Sequence, residues 1–183
     1  MAEETGREMN AAISAAARDQ RGMGEGLALY LSARPERPGD EVSVLLACHR
    51  QGIPVTVHTA VGAEIIHQHP AADGAAMGAT SQRDFLRLAG SLPDIDQGGV
   101  VMNWGSAVIM PEVFLKALTV ARNVNGGKPT DFTTADFDMQ RHYRPRENVV
   151  RRPVLAGGEG FEITGHHELM IPLLGWAVAE ALD

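Results

Sequence analysis

One helical segment between two short apolar segments most constrains how this chain can fold. Residues 99–103 read Gly-Val-Val-Met-Asn, residues 130–134 read Thr-Asp-Phe-Thr-Thr, and residues 111–123 between them carry apolar side chains at helical spacing. That helix pattern has Glu112 near its positive end and Arg122 near its negative end, a placement that the helix dipole favours. Strand, helix and strand at these distances predict a right-handed crossover between two parallel strands.

The rest of the chain adds two strand candidates and several helices. A β-branched segment over residues 53–58 predicts a buried strand, and residues 161–163 predict a short strand inside a glycine-rich loop. Apolar spacing predicts helices over residues 8–18, 27–32, 41–51, 80–89 and 168–182. Two prolines make residues 34–40 a loop. Three helical pieces therefore precede the first strand.

These elements predict a single α/β domain over residues 1–183, with a helical lead-in over residues 1–51 and an α/β core over residues 52–183. The expected architecture is a Rossmann-like parallel sheet with helices on both faces. A sheet of three or four strands is small and leaves one edge poorly covered. We therefore expect the chain to pair with a second copy as a homo-oligomer, or to be the C-terminal part of a larger domain.

Composition and charge exclude several classes of protein. Hydrophobic residues make up 44% of the chain and charged residues 21%, which excludes disorder along its whole length. The net charge is -7, from 23 acidic and 16 basic residues, which argues against a nucleic-acid partner. A single cysteine, Cys48, excludes an intrachain disulfide and a multi-cysteine zinc site. With no apolar run of membrane-spanning length and a polar start, we expect a cytoplasmic protein without a membrane partner.

Three groups of side chains follow the predicted strands, and ligands of open parallel sheets bind beyond the carboxyl ends of the strands. These groups run from His58 to Glu64, from Asn103 to Ser106 and from Thr133 to Asp136. In the second group Gly105, Ser106 and Ala107 precede a helix, and small residues there let a phosphate or carboxylate approach backbone N–H groups. The alternative is a strand-to-helix turn whose residues are small for packing alone.

Histidines form the second chemical signal. His58, His67 and His69 lie in one short segment with Glu64 and Asp73 interspersed. We expect them to bind ligand or to transfer protons, with His67 or His69 as the acid–base group because imidazole titrates near neutral pH. Two alternatives stay open: a metal site completed by residues 166–168, although no HExxH motif is present, and a purely structural role.

Arginines form the third signal, in the stretch over residues 141–152. Arg144 follows the strand predicted over residues 130–134, so it is placed to fold over the same crevice. Guanidinium groups match phosphate and carboxylate oxygens in geometry. The alternative is a solvated loop.

Three stretches carry a family resemblance: VTVHTAVGAEIIHQHPAADGAAMG, GGVVMNWGSAVIMPEVFLKALTVARN and DFTTADFDMQRHYRPRENVVRRP. Together they resemble a bacterial group related to deoxyhypusine synthase, over about residues 52–153. The resemblance implies the deoxyhypusine-synthase-like NAD/FAD-binding fold, a Rossmann-type sheet that works as a tetramer or dimer, with NAD as cofactor. It also implies that the N-terminal part of the family domain is missing.

Residues carried over from the family give a mixed result. Thr133, Thr134 and Ala135 stand where the synthase has an Asn-Thr-Ala that contacts NAD, and Asp138 falls near its ligand-binding acidic residue. Gly105, Ser106 and Ala107 stand at its triple-glycine turn, and Arg144 matches an Arg-Pro step. The synthase's catalytic lysine lies in a Trp-Gly-Lys motif, but residues 150–153 here read Val-Arg-Arg-Pro, and Pro111 or Glu112 replaces its histidine. Without the lysine no imine forms there.

The expected function is therefore binding of a nucleotide or another anionic small molecule at the strand ends, without deoxyhypusine synthase activity. The alternatives are a metal-dependent hydrolase using His58, His67 and His69, or a non-catalytic oligomeric scaffold. The predicted site comprises catalytic His67, His69 and Glu112; NAD-binding Gly105, Ser106, Ala107, Thr133, Thr134, Ala135 and Asp138; and substrate-binding His58, Asn103, Asp136 and Arg144.

Overall fold

The computed structural model describes residues 3–182, which form two compact units divided between Leu88 and Ala89. This division falls later in the chain than the boundary expected between the helical lead-in and the α/β core, near residue 52. The single domain over residues 1–183 stays a prediction. The first unit is helical, and the second contains the sheet. Over residues 3–182, none of the helices has the length and apolar character that crossing a membrane requires.

The first unit is built from helices that pack on one apolar cluster. Its elements are α1 (Glu3–Arg18), α2 (Met23–Ala33), a 3-10 turn (Asp40–Val42), α3 (Val44–Arg50), a second 3-10 turn (Ile65–Gln68) and α4 (Gly74–Ser91), whose last turn belongs to the second unit. The buried cluster comprises Ala12, Ile13, Met23, Leu27, Ala76 and Met77. The predicted loop over residues 34–40 is confirmed as non-helical up to Asp40.

The predicted helices of this unit are confirmed, but most of them are longer than expected. Helix α1 starts earlier, with Glu3 and Glu4 in its first turn, where acidic side chains face the positive end of the helix dipole. Helix α4 begins at Gly74 because the Asp73 carboxylate accepts the N–H groups of Ala75 and Ala76, at 2.9 and 3.2 Å. Such a cap satisfies donors that the first turn leaves free.

The glycines at the start of α2 are explained by close packing. A Cβ atom on Gly22 would lie 1.9 Å from the Asp84 carboxylate, one on Gly24 2.0 Å from the Val55 carbonyl oxygen, and one on Gly26 2.3 Å from the Ala16 Cβ. Each distance is too short for a non-bonded contact. The Gly-x-Gly-x-Gly spacing therefore serves contacts between segments of this unit.

The strand predicted over residues 53–58 is absent, because its backbone binds side chains. The Asp84 carboxylate accepts the N–H of Val57 at 2.8 Å and the N–H of Gly24 at 2.9 Å. The Ser81 hydroxyl accepts the N–H of Thr59 at 3.0 Å and donates to the Val57 carbonyl at 3.2 Å. Side chains of α4 thus take the place of a neighbouring strand, and the β-branched pattern alone did not indicate this.

Replacing Asp84 with alanine should therefore destabilise the first unit. Asp84 is fully buried, and its loss leaves two backbone N–H donors without their acceptor. This should lower the free energy of unfolding by about 2–4 kcal/mol. The matched control, Asp73→Ala, removes an exposed helix cap and should cost about 1 kcal/mol. Urea unfolding followed by circular dichroism measures both, and an equal loss in the two variants would contradict this role for Asp84.

The second unit alternates strands and helices. It contains a 3-10 turn (Leu92–Ile95), β1 (Gly99–Trp104), α5 (Ile109–Val124), β2 (Phe132–Asp138), α6 (Tyr143–Pro145) continued by a π-helical segment (Arg146–Arg151), β3 (Glu159–Thr164) and α7 (His167–Leu182). The helices predicted over residues 111–123 and 168–182 and the strand over 99–103 are confirmed. The strand predicted over residues 130–134 was placed wrongly: it begins at Phe132 and runs on to Asp138.

The three strands form an all-parallel sheet in the order β1-β2-β3. Val101 pairs with Thr134 and Asn103 with Asp136 across β1 and β2. On the other side of β2, Asp136 pairs with Glu162 of β3. The α/β class and the parallel sheet expected from the sequence are confirmed, and the short strand predicted over residues 161–163 is confirmed as part of β3.

Helices cover one face of this sheet. The Arg122 guanidinium of α5 lies 5.9 Å above the Phe132 ring, and a Cβ atom on Gly160 would lie 2.1 Å from the Val150 carbonyl oxygen of the π-helical segment. The strands lie in the sheet in the same order as in the chain. The β1-to-β2 and β2-to-β3 connections therefore run over the same face of the sheet if both have the usual right-handed crossover. On the opposite face Val100, Met102 and Phe161 are 45–56% exposed. Helices were expected on both faces of the sheet, but no helix covers the second face at these three residues.

At the amino end of the sheet, Asp96 ties the start of β2 to the preceding turn. Its Oδ1 atom accepts the N–H groups of Thr130 at 2.8 Å and Asp131 at 3.0 Å, and its Oδ2 atom lies 3.2 Å from the Lys128 ammonium. These backbone hydrogen bonds, helped by Lys128, lower the pKa of Asp96 to about 2.

Stability should consequently depend on the ionisation of Asp96. Because its pKa is depressed in the folded chain, its charge stabilises the fold above the unfolded pKa of about 4, and that contribution is lost as the pH falls towards about 2. The stability difference between wild type and Asp96→Asn should be largest near neutral pH and shrink over this range. Chemical unfolding at several pH values measures it. The control Asp94→Asn, at an exposed neighbour, should change the free energy of unfolding by no more than about 0.5 kcal/mol at neutral pH.

Candidate functional site

The carboxyl ends of the three parallel strands meet at one edge of the sheet, where a partly buried hydrogen-bond network joins them. Asp136 is 1% exposed. Its Oδ1 atom accepts from Asn103 Nδ2 at 2.7 Å, and its Oδ2 atom from Arg141 Nη1 at 3.4 Å. Arg141 also donates through Nη2 to the Thr164 hydroxyl. The network therefore links the ends of β1, β2 and β3.

Burial dominates the electrostatics of Asp136. Loss of hydration raises the pKa of its carboxyl group, while the Asn103 hydrogen bond and the Arg141 charge act in the opposite direction. A buried carboxylate is costly unless it is paired and hydrogen-bonded. Groups with perturbed pKa values cluster at functional sites, although structural networks also perturb them.

The loop after β1 is held in one conformation by its glycine and serine. Gly105 has φ +68°, and its N–H donates to the Phe137 carbonyl at 3.2 Å. The Ser106 hydroxyl accepts the N–H of Met110 at 3.1 Å and so satisfies a donor in the first turn of α5. The Ser106 carbonyl in turn accepts from Asn103 at 3.1 Å. Residues 105–107 therefore lead directly from the buried network to the positive end of α5.

His167 also lies at this edge, and the sequence prediction missed it as a member of the strand-end site. Its Nε2 atom lies 2.9 Å from the Phe137 carbonyl oxygen, so Nε2 carries the proton and Nδ1 is left as an acceptor. Trp104 stacks on Phe137 at 3.9 Å and meets the His167 ring edge-on at 5.8 Å. The signal in the sequence was the histidine pair directly after the strand over residues 161–163, which had been considered only as a source of metal ligands.

The remaining residues predicted on β2 divide between its interior and its end. Thr133, Thr134 and Ala135 lie inside the strand, because β2 continues to Asp138, four residues beyond the predicted end. The Thr134 hydroxyl is buried without a hydrogen-bond partner. Asp138 ends the strand at 9% exposure, and its Oδ1 atom accepts the Gln140 N–H at 3.0 Å.

Glu112 and Arg144 belong to a separate ionic cluster. The Glu112 carboxylate accepts from Arg144 at 3.2 Å, from Asn148 at 2.9 Å and from Lys116. The bond from Lys116, followed by the contacts with Asn148 and Arg144, lowers the pKa of Glu112. The arrangement favours a clamp between α5 and residues 144–148. Proton transfer by Glu112 and substrate binding by Arg144 stay predictions.

The predicted histidines lie in the first unit, where His58 and His67 line a cavity of about 300 Å³. Its wall is mainly apolar and includes Met9 and Met23. Burial lowers the pKa of His58, against the opposing charge of Asp84. His67 Nδ1 accepts the backbone N–H groups of Gly62 and Glu64 at 3.0 and 3.2 Å, which places its proton on Nε2.

His69 is used differently from the other two. Its Nδ1 atom accepts the Ala71 N–H at 3.1 Å, and its Nε2 atom lies 3.6 Å from a Glu3 carboxylate oxygen. Across residues 3–182, no three His, Cys, Asp or Glu side chains are grouped as a metal ion requires. The metal-dependent hydrolase is therefore not supported, because the ring nitrogens of His67 and His69 serve separate backbone turns despite their close spacing in the sequence.

Comparisons with family models, with curated proteins and with solved structures give no match to this chain. The structure therefore supports an α/β protein with a small parallel sheet, and no family is identified.

Substituting Gly105 should test how tightly this edge is packed. A Cβ atom there would lie 2.7 Å from the His167 ring, in addition to the strain of a positive φ. Gly126 has a similar φ of +61° and open space around it, so Gly126→Ala should cost only the strain, about 1–2 kcal/mol. Gly105→Ala should cost about 1–3 kcal/mol more, measured by urea unfolding.

A double-substitution cycle provides the control. In a His167→Ala background the excess cost of Gly105→Ala over Gly126→Ala should largely disappear. An unchanged excess would show that the ring contact is not its cause.

Proposed function

We propose that this chain binds a nucleotide-type ligand of the NAD class at the carboxyl edge of its parallel sheet. The observation that carries the proposal is the buried network of Asn103, Asp136 and Arg141 across the strand ends. Ligands of open α/β sheets bind at this edge. Burying a polar network of this kind costs free energy, and such costly polar groups are typical of functional sites.

The phosphate groups are assigned to the loop after β1. Ser106 and Ala107 precede the 16-residue helix α5, whose dipole favours negative charge at its start. Because the Ser106 oxygen already accepts the Met110 N–H, its hydroxyl proton is available to a phosphate oxygen. Small side chains at residues 105–107 leave the backbone accessible.

The ribose is assigned to the end of β2. Carboxylates that follow strands in dinucleotide-binding folds accept hydrogen bonds from ribose hydroxyl groups. Asp138 occupies that position, and one of its oxygens is held by the Gln140 N–H. His167, with Nδ1 free to accept, is assigned to a donor on the ligand.

The resemblance to the deoxyhypusine-synthase-like group supports the same ligand class. It implies NAD contacts at seven positions. Gly105, Ser106 and Ala107 lie in the loop after β1 and Asp138 lies at the end of β2, whereas Thr133, Thr134 and Ala135 lie inside β2 and are not assigned a ligand contact. The lysine of the Trp-Gly-Lys motif is missing from residues 150–153, so we propose binding of the cofactor without synthase chemistry. Catalysis through His67 or His69 is not part of the proposal.

Calorimetry on the full chain tests the proposal with NAD, NADH and ADP-ribose. Asp138→Asn should weaken binding about tenfold or more, because an amide replaces an ionised acceptor of two hydroxyl groups. Asp131→Asn makes the same chemical change just before the opposite end of β2 and should leave affinity unchanged. Absence of heat with all three ligands at millimolar concentration would refute NAD-class binding and favour the scaffold alternative.

The cavity of the first unit is a second candidate, favoured by the two histidines that line it. The same titrations on His67→Ala separate the two sites. Weaker binding in His67→Ala with normal binding in Asp138→Asn would assign the ligand to this cavity and contradict the strand-end site.

A further inference from the structure

Helix α7 is apolar around its circumference, yet none of its described residues is buried. Leu169, Ile171, Leu173, Trp176 and Val178 are each 50–66% exposed. They lie on more than one side of the helix, since successive residues turn by about 100°. A helix that is hydrophobic on all sides is normally found in a protein interior. The apolar surface of α7 therefore needs a partner outside the second unit to cover it.

The sheet of the same unit has a matching open face. Val100 and Met102 alternate along β1 and so share one face, and Phe161 of β3 lies on that face because Met102, Ala135 and Phe161 are in register. Val100, Met102 and Phe161 are 56, 45 and 47% exposed. Parallel sheets are found almost only with both faces covered.

We infer that two copies of the chain cover these surfaces for each other, with α7 of each copy lying on the open sheet face of the other. A twofold axis makes one such contact generate the second. Within its own copy α7 meets the sheet at β2, where His167 contacts the Phe137 carbonyl, and it leaves Val100, Met102 and Phe161 open. The inference does not depend on the proposed ligand.

The exposed area is of the size that a stable dimer needs. With about 200 Å² for a fully accessible large apolar residue, the eight side chains, each roughly half exposed, present on the order of 800 Å², about what each partner contributes to a standard interface. A second copy is favoured because one chain supplies both an uncovered helix and an uncovered sheet face.

Sedimentation velocity on the full chain, from about 1 to 100 μM, tests the inference. Wild type should sediment at twice the chain mass of 19.6 kDa. Leu173→Glu on the helix and Phe161→Lys on the sheet face should each give monomers, because each buries an unpaired charge. Val124→Glu, at a 76% exposed position at the end of α5, should remain dimeric. Thermal melts followed by circular dichroism establish that all variants are folded.

Mixing the two disruptive variants gives the decisive measurement. In a dimer of one Leu173→Glu copy and one Phe161→Lys copy, one contact is wild type and the other places glutamate opposite lysine. The mixture should therefore dimerise at least about tenfold more tightly than either variant alone. A monomeric wild type, a dimer that survives both substitutions, a dimer lost only in Leu173→Glu, or a mixture that stays monomeric would each overturn the inference.

Discussion

The buried carboxylate of Asp136 is the group on which the carboxyl edge of the sheet depends. It is 1% exposed, and a carboxylate removed from water is tolerated only with close hydrogen-bond partners. Those partners are Asn103 on β1 and Arg141 after β2, and Arg141 extends to Thr164 on β3. Breaking the bond from Asn103 or the bond from Arg141 removes a partner of the buried Asp136 carboxylate, so the network fixes the strand ends relative to one another.

The strands and helices of the second unit were largely predictable, because each carries its own pattern. Residues 99–103 and 111–123 needed only local spacing to be recognised, and both were found. The same reasoning failed at residues 53–58, although they are richer in β-branched residues than residues 99–103. A strand requires a partner for its backbone groups, and here Asp84, 27 residues further along the chain from Val57, supplies the acceptor instead. Local pattern contains no information about such a distant side chain.

The candidate site was predictable in part for the same reason. Asn103, Ser106 and Asp136 were expected near one strand edge, and the structure brings them together through Asn103. Thr133 to Ala135 were misplaced because β2 ends four residues later than predicted, at Asp138, so the residues expected at the end of the strand lie in its interior. His167 was missed as part of this site because its role depends on the Phe137 carbonyl, 30 residues away. Residue type alone could not show that contact.

The charges at the carboxyl edge of the sheet provide a further argument about the class of ligand proposed for this edge. Asp138 at the end of β2 and the exposed Glu162, two residues before the end of β3, place negative charge near this edge, while Arg141 and the start of α5 supply positive charge. A simple inorganic anion would gain from the helix but would be repelled by the carboxylates. A neutral sugar would gain from the carboxylates but would leave the helix end unused. A nucleotide carries phosphate oxygens for one part and ribose hydroxyl groups for the other, which is the reason that a nucleotide is the ligand class proposed here.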